Sequence, residues 1–165
     1  MHSCDEKNAA VAPVAFTHTD YSLFSGPKRI KELTESGAYF TTNTTSPTTN
    51  NYQIINVWRS CTEYPVYRQP LAIVDATTVP AADVKTFQLR YPHRTGENEC
   101  MTADTAKNHK WFYYPMVQKD EALIFVTYDT VKHVFHCAFP HPATPVDSPT
   151  RISIEIRAVA FYDEK

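Results

Sequence analysis

RISIEIRAVAFY, residues 151–162, alternates without a break. Ile152, Ile154, Ile156 and Ala158 fall on one parity, and Arg151, Ser153, Glu155 and Arg157 on the other. Period two is the mark of a β-strand, because successive side chains leave opposite faces of the pleat. With one apolar and one charged face, the expectation is a strand whose isoleucines turn inward, each worth about 1.5–3 kcal/mol on full burial. Its register should be firmly held, since a slip of one residue would turn Arg151 to the other side.

Upstream of this strand, similar runs recur at residues 52–59 (YQIINVWR), 71–75, 86–91, 99–103, 111–114, 122–128 and 134–139. Each is short, rich in β-branched or aromatic residues and bounded by turn formers. Residues 10–17 (AVAPVAFT) read as a further strand leading into His18, with Pro13 placing it at an edge or a bulge. The tetrapeptide Arg94-Thr95-Gly96-Glu97 reads as the turn of a hairpin. Ser25-Gly26-Pro27 opens a helix over residues 27–36, where Ile30 and Leu33 share a face and Gly37 ends the element. A one-turn helix is expected near residues 80–84. The polar stretch 41–51 (TTNTTSPTTNN) has no periodicity and reads as a mobile surface loop, or as a lid.

About eight strands and two small helices, without an alternating βα rhythm, predict a mainly β antiparallel barrel or sandwich of jelly-roll type. Three glycines and twelve prolines suit strands joined by proline-punctuated turns. At 165 residues, with no internal repeat, one domain over residues 1–165 is expected. A net charge of −2 and a pI near 6.4 provide no basic field for nucleic acid or acidic lipid. No apolar run approaches the ~20 residues that span a bilayer, and residues 1–7 are too polar for a secretory core. A cytoplasmic protein is the expectation. Cys4, Cys61, Cys100 and Cys137 are scattered without a C-x-x-C pair, and so read as free thiols.

The chemistry-bearing residues lie at the two ends. In His18-Thr19-Asp20 the imidazole and the carboxylate are two apart, so a strand end can aim both at one ion. A further imidazole must come from downstream, where His133, His136 and His141 compete. His133 has the opposite parity to His136, and His141 lies among prolines in an expected turn. Two imidazoles and one carboxylate on one face of an octahedron leave the other face open, as non-haem Fe(II) needs to hold a co-substrate and O2. Arg151 stands where a guanidinium could grip the far carboxylate of a dicarboxylate co-substrate, with Ser153 beside it. Arg157 shares that strand face and is expected to pair with a carboxylate, Glu155 among others. H-x-D alone is common by chance. His2, His93 and His109 are expected to face solvent, and Trp58, Trp111, Tyr113 and Tyr114 to be core or wall residues.

Several segments recur in one order: HTDY-x-x-x-SGPKRI-x-EL, INVWR, PLAIVDATTV, HKWFYYP, EALIFVTYD, FHCAF-x-HPATP and RISIEIRAVAF. Together, from about Phe16 to Phe161, they resemble the fungal and bacterial hydroxylase/desaturase family of specialised metabolism. That family includes a cephamycin methoxylation component, an aspergillic-acid-pathway hydroxylase and a gibberellin desaturase. The resemblance implies an Fe(II)- and 2-oxoglutarate-dependent oxygenase on a double-stranded β-helix with one or two short helices. It implies His18, Asp20 and His136 as iron ligands, and Arg151 and Ser153 as the co-substrate clamp. Trp58, Arg59, Trp111 and Tyr113 would line the pocket of a small-molecule natural-product intermediate.

Family members ordinarily carry a longer region before the H-x-D motif, whereas seventeen residues precede His18 here. That leaves an exposed sheet edge as a further expectation, open to a homodimer or heteromer contact. Three functions follow for comparison. The first is oxidative, hydroxylating or desaturating an unactivated C–H bond. The second is a non-redox isomerase or cyclase using the same pocket. The third is a non-catalytic partner subunit.

Overall fold

The computed structural model describes residues 12–37, 51–92, 94–130 and 134–162. Eight strands are present among them. They are β1 (Tyr52–Ser60), β2 (Leu71–Val74), β3 (Val84–Arg90), β4 (Thr95–Met101), β5 (Trp111–Tyr113), β6 (Leu123–Tyr128), β7 (His136–Ala138) and β8 (Ser153–Phe161). One α-helix, α1 (Ser25–Ser36), and three short 3-10 turns complete the set. Strand pairing is antiparallel throughout, in the orders β6-β1-β8, β5-β2-β7 and β3-β4.

What joins β7 to β4 is the stretch around His18. The Ala138 N–H donates to Val14 O, His18 and His136 exchange backbone bonds of 3.1 and 2.9 Å, and Thr19 and Ser22 donate to Glu99 O and Glu97 O. The expected strand over residues 10–17 is therefore corrected. Residues 10 and 11 lie outside the described residues, and 12–17 form no strand. Pro13 has no N–H to give a ladder, and His18 is left as an isolated bridge to both Cys100 and His136.

The two sheets close on a core formed by Trp58, Val66, Leu71, Val117 and Phe125. A second cluster joins Ile30 of α1 to Tyr52, Ile54 and Tyr128. α1 begins two residues before the expected Pro27, because Ser22 Oγ accepts from the N–H groups of Phe24 and Ser25. Gly37 ends it at φ 62°, as expected of a residue free to turn left-handed. Gly26 is required by close approach: a Cβ there would stand 2.3 Å from the Tyr128 ring.

Two further expectations are revised. The β3–β4 hairpin turns three residues early, with the Tyr91 N–H donating to Arg94 O at 2.8 Å. Pro92 takes the second turn position, where its fixed φ is favoured, and Thr95 and Gly96 already pair within β4.

More consequential is β8. Its isoleucine face is not buried: Ile156 is 57% exposed, and Ile124 on β6 is 69% exposed. Register explains this. β1 buries Tyr52, Ile54, Asn56, Trp58 and Ser60, and opposite them on β8 stand Phe161, Val159, Arg157, Glu155 and Ser153. Residues directly opposite share a face, so it is the charged parity of β8 that turns toward the interior. The stretch 41–50, expected as a loop or lid, lies outside the described residues, as do Cys4, His2, His93 and His133.

Candidate metal centre

His18, Asp20 and His136 converge, with one donor atom from each lying within 4.8 Å of the others. The His18–His136 backbone bridge places their rings 4.6 Å apart at the centroids. Both imidazoles are oriented by the chain itself. His18 Nδ1 lies 3.0 Å from Phe16 O, and His136 Nδ1 lies 3.4 Å from Val134 O. A carbonyl can only accept, so Nδ1 of each ring carries the proton and Nε2 presents a lone pair. Such backbone-oriented imidazoles are what a divalent metal requires. Phe16 and Phe125 pack against the two rings at 5.1 and 4.9 Å. Burial holds His136 neutral, its pKa lowered to about 4.

Asp20 reaches across to the other sheet. Its Oδ2 accepts from Asn56 Nδ2 at 2.7 Å, Thr127 Oγ1 at 2.9 Å and Arg157 Nε at 3.1 Å. Oδ1 accepts from Arg157 Nη2 at 2.8 Å and lies 4.0 Å from His18 Nε2. Oδ2 is saturated, so Oδ1 is the oxygen left to face a cation. Burial alone would raise the Asp20 pKa, but the Arg157 charge, His136 and the Asn56 bond outweigh it and hold the carboxyl at about 2. Arg157 also holds Glu155 Oε1 at 2.8 Å.

Arg151 stands elsewhere. Ser153 precedes Arg157 by four residues, about 13 Å along a strand, and Arg151 lies further back still. Its guanidinium sits 5.3 Å from the Trp58 ring centroid and donates through Nη1 to Gln69 O, while its buried Nε has no partner. Gln69 itself adopts φ 50°, an uncommon left-handed conformation for a side-chain-bearing residue. An unpaired, buried N–H of a charged guanidinium suits an incoming carboxylate. No carboxylate makes an ion pair with Arg151 among the described residues.

The expected pocket residues divide. Trp58 is core, beneath Arg151. Arg59 donates to Lys119 O and lines a separate recess with Glu63 and Asp120. Trp111 and Tyr113 pair in register with Val74 and Ala72, whereas Ile73 is flanked by Phe112 and His136. Phe112 therefore shares the face of His136, and Trp111 and Tyr113 share the opposite one. Trp111 donates to Ala106 O, and the Tyr113 hydroxyl meets His141 Nε2 at 2.9 Å. His109, expected in solvent, is buried, with Nε2 3.0 Å from Asp83 Oδ2. Its polar neighbours Lys107, Asn108 and Lys110 suggested solvent, and its partner Asp83 lies twenty-six residues away in the chain.

Sequence reasoning passed over Asn56 and Thr127. The available signal was parity, since both are polar residues on the inward phase of otherwise apolar strands.

Among the comparisons with known proteins, the model of a family described as an oxidoreductase/YMDC permease-like domain matches residues 2–161. Among the described residues, no helix is long and apolar enough to cross a membrane. Aspirochlorine biosynthesis protein N of Aspergillus oryzae is 36% identical over 68% of this chain and 49% of its own length. The Fe(II)/2-oxoglutarate-dependent dioxygenase nvfI of Aspergillus novofumigatus is 33% identical over 68% of this chain and 41% of its own. Hydroxylase/desaturase CTB9 of Cercospora beticola is 30% identical over 98% of this chain and 53% of its own. The solved iron and alpha-ketoglutarate-dependent endoperoxidase NvfI superposes with TM-score 0.75 at 23% identity, covering 95% of this chain and 57% of that one. The fold is thus shared with that solved protein. The chain spans about half the length of the curated relatives it matches.

Proposed function

From a chain that belongs to the oxidoreductase/YMDC permease-like family, alongside the fungal hydroxylase/desaturases, we propose an Fe(II)- and 2-oxoglutarate-dependent oxygenase acting on a small natural-product intermediate. The observation that carries the reading is the donor set. Two imidazoles with Nδ1 committed to backbone carbonyls and one carboxylate with a single unsaturated oxygen offer three lone pairs to one ion.

His18 Nε2, His136 Nε2 and Asp20 Oδ1 would hold Fe(II), and 2-oxoglutarate would place its distal carboxylate on Arg151, with Ser153 beside it. When bound with O2, this pair supplies the oxidising power to remove hydrogen from an unactivated C–H bond, giving hydroxylation or desaturation. The residues of the chain do the rest. Asn56, Thr127 and Arg157 keep Asp20 ionised and fix which oxygen faces the metal. Phe16 and Phe125 exclude water from the imidazoles. Trp58 braces the Arg151 guanidinium so that its free N–H stays available.

A cytoplasmic location, one domain over the whole chain and a small-molecule partner belong to the same reading. So does strand pairing with a second chain along the outer edge of β8, which has no strand partner among the described residues. The test begins with Fe(II) and 2-oxoglutarate binding under anaerobic conditions. Wild-type protein should bind both, His18→Ala and Asp20→Ala should lose the metal, and succinate should form only with Fe(II) and O2. Metal-independent turnover with product mass equal to that of the substrate would replace the oxidative reading with an isomerase or cyclase.

A further inference from the structure

Beside Asp20 an open recess with a cavity volume of about 70 Å3 lies between the first turns of α1, the Tyr91–Arg94 turn and the start of β4. Four cations line it, Lys28, Arg29, Arg94 and Arg157, against the acids Asp20, Glu32 and Glu97. Most of this charge is internally matched. Asp20 holds Arg157 at 2.8 Å and Arg29 holds Glu32 at 3.3 Å, while Glu97 keeps its charge, with the neutral Ser22 hydroxyl donating to it at 2.6 Å. Four cations against three acids leave the lining one net positive charge. Lys28 and Arg94 are left over. Neither forms an ion pair among the described residues, and Arg94 is braced with its guanidinium 4.5 Å from the Tyr91 ring centroid.

A recess that shares Asp20 with the candidate metal centre and carries a net positive charge is complementary to an anion. Its volume accommodates a carboxylate, and because the recess is open to solvent a larger acid can lay its carbon skeleton along the mouth. We infer that this recess is the substrate subsite, and that it takes an organic acid by seating its carboxylate between Lys28 and Arg94. The inference rests on the oxygenase reading only in assigning that carboxylate to the substrate. A guanidinium and an ammonium on separate elements fix such a group from two directions, and the remaining carbon skeleton then extends toward Asp20. The co-substrate's own carboxylate is the rival source of the same chemistry, and Arg151 and Ser153 lie apart from this recess.

Titration calorimetry on the metal-loaded chain separates the two, using 4-phenylbutyrate, its methyl ester and 2-oxoglutarate as probes. The acid should bind saturably and the uncharged ester roughly tenfold more weakly, with the acid losing affinity as salt rises from about 50 to about 300 mM. Lys28→Gln and Arg94→Gln should each weaken the acid severalfold, Arg94→Lys less so, and all three should bind 2-oxoglutarate as wild type does. Arg151→Gln should show the reverse pattern, and Lys119→Gln should change neither. Equal binding of acid and ester, absence of saturable acid binding, or unchanged affinity in the Lys28→Gln/Arg94→Gln double variant would overturn the inference. Failure of the wild type to bind 2-oxoglutarate while still binding the acid would instead remove the oxygenase reading and leave the anion site standing.

Discussion

Asp20 illustrates how much one carboxylate is asked to do. It accepts four hydrogen bonds, from Asn56, Thr127 and twice from Arg157, and still keeps an oxygen turned to His18. Thr127→Val removes one donor while nearly preserving volume, so the fold should persist and divalent-metal affinity should fall about tenfold, as for other residues behind a ligand. Competition of Mn(II) against a chromophoric chelator measures it. His136 gives the metal-free chain a pH signature. Unfolded, this histidine takes its proton near 6.5, whereas folded it does so only at about 4. Between those values the unfolded chain binds more protons, so stability is fully present above 6.5 and falls as pH drops, by up to ~1.4 kcal/mol per unit. Asp20 adds to the loss only below about 3.8, toward 2. Urea melts of metal-free protein across this range should show the decline, and His136→Gln should flatten its upper part.

α1 and β8 carry the predictions that belong to elements. The helix approaches Tyr128 so closely at Gly26 that an added methyl overlaps a ring with 1% exposure. Gly26→Ala should therefore cost about 1–3 kcal/mol despite alanine's better helix propensity, as overpacking does, measurable by denaturant midpoint. On β8 the expectation runs the other way. Ile156 lies on the outward face, so Ile156→Thr should change the stability of this chain by less than about 1 kcal/mol, whereas an inward-facing isoleucine would lose more. The alternation of residues 151–162 was legible from residue types alone, but which parity turned inward was not. An isoleucine face gains from burial wherever it can find cover. Here the interior opposite β8 is already lined by Asn56 and crossed by Asp20, and the Asp20–Arg157 pair holds the charged parity there.

For the whole molecule, the sheets are tied together at one place by the candidate centre, since Asp20 rises from the segment beside β7 and β4 and is held by β1, β6 and β8. A metal that binds this folded arrangement and not the unfolded chain should stabilise it by about 2.7 kcal/mol at a free concentration of 100 Kd. The thermal midpoint should rise with Mn(II) or Fe(II), and His18→Ala should abolish the rise. The sequence by itself determined a mainly β antiparallel class and offered His18 and Asp20 as donors, because period two and residue chemistry are local properties, while His136 was chosen over its neighbours by the family resemblance. Only tertiary structure decided the rest: that His18 and His136 bridge backbone to backbone, that Arg157 rather than Arg151 stands beside Asp20, and that Phe112 shares the face of His136 while Trp111 and Tyr113 do not. Those outcomes depend on the register between strands far apart in the chain, and a register is chosen by the sum of all contacts across a sheet, which no single strand encodes.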